Sequence, residues 1–84
     1  MKKCKLLQKL LSGSKDIRFS EAVAGAEMFG FRLDRIKGSH HIFVHDHVPE
    51  LVNLQDVKGK AKAYQVRQLL EIVEQYNLQM GDEE

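Results

Sequence analysis

Apolar residues recur along this chain with two different periods, and the change between them lays out the elements. From Lys2 to Leu11 the apolar positions are Cys4, Leu7 and Leu11 together with Leu6 and Leu10, the intervals of one helical face, with lysines between them. Ser12-Gly13-Ser14 ends this segment. A helix of about ten residues is marginal alone, so it has to dock on the rest of the domain; its basic polar side also suits an arm that touches RNA or a partner. Lys15 to Phe19 is a short connection. Ser20 then reads as an N-cap, with Glu21 in the first turn where the helix dipole favours an acid. Ala22, Val23, Ala26 and Phe29 form an apolar stripe that predicts a helix over 21–29, and Gly30 suits the left-handed residue that stops it. Gly25 among three alanines leaves that helix thin enough for another element to approach closely.

The period then drops to two. Phe31, Leu33 and Arg35 alternate with Arg32, Asp34 and Ile36, which predicts a strand over 31–37. Lys37-Gly38-Ser39 is a tight turn, and His40 to His45 or Asp46 is the second strand of an antiparallel hairpin. Pro49 lacks a ladder N–H, so His47-Val48-Pro49 reads as a break before a third strand over Glu50–Gln55. Asp56 to Lys60 is a basic loop. From about Ala61 to Leu78 the helical period returns at Val66, Leu69, Leu70, Val73 and Tyr76. Helix, helix, strand, strand, strand, helix is an α+β order: a three-stranded antiparallel sheet packed on two helices, plus an extra N-terminal helix. The middle strand is apolar on both faces, with Phe43 on one and Ile42 and Val44 on the other. One set packs on the helices; the other is covered by the N-terminal helix or left open for a partner.

Composition narrows the class without choosing a function. Eighty-four residues make one domain with a modest core, divided here into an N-terminal extension (1–14), the main domain (15–78) and an acidic flexible tail (79–84). No apolar run approaches the roughly 20 residues of a membrane span. The basic start at Met1-Lys2-Lys3 is followed by Lys5, Gln8 and Lys9 rather than by a signal-peptide core, so a cytoplasmic protein without membrane contact is expected. A single cysteine, Cys4, excludes an internal disulfide and any zinc site built on cysteine pairs. The net charge of +1 hides an asymmetry: without Asp82, Glu83 and Glu84 the body carries 13 basic and 9 acidic side chains. Such a surface is compatible with nucleic acid and does not demand it.

The chemistry-bearing stretch is Lys37-Gly38-Ser39-His40-His41-Ile42-Phe43-Val44-His45. A strand alternates faces, so His40 and His41 point to opposite sides, and His41 shares its face with Phe43 and His45. Histidine titrates near neutrality, and removing a 2′-OH proton so that the oxygen attacks the adjacent phosphate needs such a base. Arg35 and Lys37 on the preceding strand, and Lys58, Lys60, Lys62 and Arg67 in the loop and last helix, are candidate phosphate contacts. A second reading is a metal site on His41, His45 and His47, but His41 and His45 would stand about 13 Å apart along a strand, too far for one ion. A third is a non-catalytic RNA- or protein-binding module on the same fold.

The run Arg35-Ile36-Lys37-Gly38-Ser39-His40-His41-Ile42-Phe43, following Phe19-Ser20 and a helix ended by Gly30-Phe31, closely resembles the HicA (YcfA-like) toxins, over about Ile17 to Leu78. The resemblance implies a fold like a double-stranded-RNA-binding domain. It also implies an mRNA interferase of a type II toxin–antitoxin system, which cleaves mRNA without a metal or other cofactor and is neutralised by a HicB-like antitoxin. The family's catalytic histidine, last in a Gly-Ser-X-His pattern, falls on His41, with His40 in the variable position. Ser39 then orients the loop or donates to a phosphate, and the antitoxin covers the histidine face and the basic loop together. Where members often carry Pro-His after the third strand, this chain has Asn53-Leu54-Gln55, and where they often carry Gly before the last helix it has Ala63-Tyr64.

Overall fold

The computed structural model describes residues 3–81; Met1, Lys2 and the acidic end Asp82-Glu83-Glu84 lie outside the described residues. The elements are α1 (Lys3–Leu11), α2 (Phe19–Met28), β1 (Arg32–Lys37), β2 (His40–His45), β3 (Val48–Gln55) and α3 (Ala63–Gln75). The three strands form one antiparallel sheet in the order β1-β2-β3. Helices α2 and α3 pack on one face of it, and α1 lies against α2 and α3 rather than against the sheet. The other sheet face is therefore open, which decides between the two fates the alternation allowed for Ile42 and Val44.

Phe43, Val52, Leu54, Ala22, Ala26, Val66 and Leu69 meet between sheet and helices. Leu6 and Leu10 carry α1 onto this core. The thin surface of α2 is what admits it: a Cβ at Gly25 would stand 2.5 Å from Leu10 Cδ1. Lys9 Nζ adds an ion pair to Glu21 in the first turn of α2 at 2.8 Å.

Several boundaries differ from the sequence reading, each for a local reason. Helix α2 starts at Phe19, with Arg18 rather than Ser20 at its N-cap. Arg18 is still extended, bridged to Lys60, and Glu21 at the third helical position reaches back to accept the Arg18 N–H at 2.9 Å. Helix α3 starts at Ala63 rather than Ala61, because the Ala61 N–H donates to Ile17 O and Lys60 pairs with Val57. It ends at Gln75, where Asn77 turns left-handed and the Asn77 and Leu78 N–H groups bond Glu74 O and Val73 O, a Schellman stop. Gly30 (φ +93°) closes α2 in the same way, its N–H bonding Glu27 O and that of Phe31 bonding Ala26 O.

In the sheet, Pro49 does not break the chain; it lies inside β3, which begins at Val48. β3 is an edge strand, and its pairing with β2 shifts register between Phe43 and His45, so Pro49 has no ladder bond to lose. In β1 the expected alternation fails at Asp34. Leu33 pairs with Phe43 but Arg35 pairs with Ile42, so Asp34 is the extra residue of a bulge. Leu33 and Ile36 therefore share the helix-side face, while Arg32, Arg35 and Lys37 share the open one. Beyond α3, Leu78 and Met80 pack on the core and the Gly81 N–H donates to Met28 O. Among the described residues no helix is long and apolar enough to cross a membrane.

Candidate active site around His41

Three segments distant in sequence converge on one half-buried imidazole. The β1–β2 turn is two residues long, with Gly38 at φ +60° in the first position, as type II′ hairpins require. It delivers Ser39 and starts β2 so that His41 emerges on the helix side, opposite Ile36 on β1 and Leu54 on β3. The imidazole Nδ1 lies 3.2 Å from Ser39 O. The same carbonyl accepts the Asp56 N–H at 3.0 Å, which fastens the basic loop to the turn. From the other side the Phe19 ring at the start of α2 packs on His41, with centroids 4.6 Å apart and planes inclined by 57°. The Phe19 N–H donates to Gly59 O at 2.9 Å, so α2 and the basic loop are tied together as well.

That loop is a small hairpin of its own. Val57 and Lys60 pair, and Lys58 (φ 53°) and Gly59 (φ 84°) form a two-residue turn with both residues left-handed. Asp56 Oδ1 accepts the Gly59 N–H at 2.8 Å and stiffens it. Lys58 is exposed at the tip. Lys60 pairs with Asp16, and that ammonium holds the exposed Asp16 carboxyl below the usual carboxylate range. Lys62 caps α3, its Nζ 6.0 Å from the Tyr64 ring.

The remaining candidates lie elsewhere. Lys37 is paired with His40 and Arg35 with Ile42, on the open face, and Arg35 is ion-paired with Asp34. Arg67 lines a groove of about 550 Å³ between α1 and α3, beside Leu7 and Leu70. The structure thus gathers His41, Ser39 and the 56–62 loop, and leaves Arg35, Lys37 and Arg67 apart from them. His40 Nδ1 donates to Asn53 Oδ1 at 3.1 Å on the open face. His45 stands against Phe31 with its Nδ1 accepting the His47 N–H at 3.0 Å. Among the described residues no group of three or more His, Cys, Asp or Glu side chains could hold a metal ion.

Sequence reasoning missed Phe19, Asp56 and Gln65. Gln65 is the one buried polar side chain among the described residues, its Oε1 accepting the Gln55 N–H at 2.7 Å and joining α3 to the end of β3. Its signal was a polar residue one step before Val66 at the start of a helix. Phe19 and Asp56 carried no local signal, because their roles come from contacts 22 and 17 residues along the chain.

The family model described as HicA toxin of bacterial toxin-antitoxin matches residues 19–75, more than half of the chain and the whole of the segment from Phe19 to the end of α3. No curated protein matches the chain significantly.

Proposed function

The chain belongs to the HicA toxin family, which makes it the toxin of a bacterial toxin–antitoxin system with an antitoxin as its partner, and from that premise we propose that it is an mRNA-cleaving endoribonuclease with His41 as its proton-transfer group. The observation that carries this reading is the position of His41: a half-buried histidine on the helix side of β2, two residues after the hairpin turn, whose neighbours Ser39 and Phe19 are both hydrogen-bonded to the loop that bears Lys58 and Lys60. In the reaction the imidazole takes the proton of a ribose 2′-OH. The O2′–P bond forms as the P–O5′ bond breaks, and the departing 5′-oxygen takes a proton from solvent. Lys58 and Lys62, and Lys60 when it leaves Asp16, neutralise phosphate charge. No metal is needed for these steps, and a HicB-like antitoxin that covers His41 and the loop would silence them.

The chemistry has a distinctive product. Attack by the 2′-oxygen leaves a 2′,3′-cyclic phosphate on one fragment and a 5′-hydroxyl on the other. End-group analysis of RNA cut in the presence of EDTA should find those ends. Fragments with 5′-phosphates, or cleavage that EDTA abolishes, would show that a different mechanism operates.

A further inference from the structure

We infer that Phe19 and the Ser39 carbonyl are positioning groups that hold His41 in its Nδ1–H tautomer, so that Nε2 is the nitrogen that gains and loses the proton; the catalytic part rests on the nuclease reading above. A carbonyl oxygen has no proton to give, so at 3.2 Å from Ser39 O the Nδ1 atom must be the donor. The neutral ring then has its lone pair on Nε2. The acceptor cannot swing away easily, because Ser39 O also receives the Asp56 N–H at 3.0 Å. The ring cannot rotate freely, because Phe19 packs on it at 4.6 Å and is itself tied to the loop through Gly59 O at 2.9 Å. Asp56 closes the arrangement by accepting the Gly59 N–H at 2.8 Å. When Nε2 takes a proton the ring becomes imidazolium, and the Nδ1–H bond to Ser39 O persists and strengthens as a charge-assisted contact. No proton has to move at Nδ1 in either direction.

The test is ¹⁵N NMR of the histidine side chains in the full-length protein, recorded without RNA above the ordinary histidine titration range. His41→Ala assigns the signal. The wild type should show His41 in the Nδ1–H form, the reverse of the Nε2–H form that free imidazole side chains favour. Phe19→Leu, and independently Asp56→Ala, should turn this into a mixture in a protein whose backbone spectrum stays folded. In the cleavage assay each should lower kcat by about tenfold or more with KM within about twofold, and Phe19→Tyr should restore both tautomer and rate. An Nε2–H tautomer in the wild type overturns the inference, as do folded variants that leave tautomer and kcat unchanged. If the wild type holds the Nδ1–H form and cuts no RNA, the nuclease reading fails while the positioning of His41 stands.

Discussion

A side chain at Gly30 has nowhere to go: the residue sits at φ +93°, and a Cβ there would lie 2.9 Å from His45 Nε2. Replacing it with alanine pays a backbone penalty and displaces a ring that is packed on Phe31. Gly30→Ala should therefore destabilise the protein by about 1–3 kcal/mol, measured as a lower urea midpoint at unchanged m-value. At this scale the sequence was informative wherever the constraint is local. Gly30 and Gly38 announce left-handed positions, and the adjacent pair His40 and His41 must face opposite ways on any strand. It was silent where a residue acts through a distant neighbour, as Phe19 does on His41 and Asp56 on Ser39.

Elements were legible in kind and order, less so at their ends. The bulge at Asp34 has no periodic signature of its own, so it inverts the faces expected for Arg35 and Ile36. Pro49 misleads because its meaning depends on β3 being an edge, which only the assembled sheet decides. Helix α1 lies outside the family-matched segment yet is fastened to it by Leu10 and by the Lys9–Glu21 pair. Leu10→Ala, which empties a side chain only 2 % exposed, should cost about 2–4 kcal/mol in a denaturant titration. Glu21 supplies a pH dependence. The Lys9 ammonium and the Arg18 N–H hold its carboxyl below the ordinary 4.5. A carboxyl depressed on folding contributes stability that is complete above its unfolded value and is lost as pH falls through the lower folded value. Thermal melts should thus show the wild type more stable than Glu21→Gln at pH 7, with the gap closing below about pH 4.

The whole molecule presents two surfaces of different character. On the helix side of the sheet, the 56–62 loop is hydrogen-bonded to Ser39 and Phe19, two residues that touch the His41 ring. On the open side, Ile42, Val44 and the half-exposed Leu51 lie among Arg32, Arg35 and Lys37. A pattern of single residues cannot show this division, because the basic residues of β1 and of the 56–62 loop are assigned to opposite sides of the sheet only by the fold. If RNA lies along the His41 side, Lys58→Ala and Lys62→Ala should each weaken binding and lower the slope of log K against log salt by roughly 0.7–0.9. Arg67→Ala, at the groove between α1 and α3, should leave that slope unchanged. The most direct test of the central claim is cleavage of RNA in EDTA by the wild type and by a demonstrably folded His41→Ala, with RNA binding followed on the same samples. The expected result is a wild type that cuts and a variant that binds RNA with similar affinity and does not cut. A variant that cuts as fast as the wild type, or a wild type that binds RNA without cutting it, would contradict the role assigned to His41.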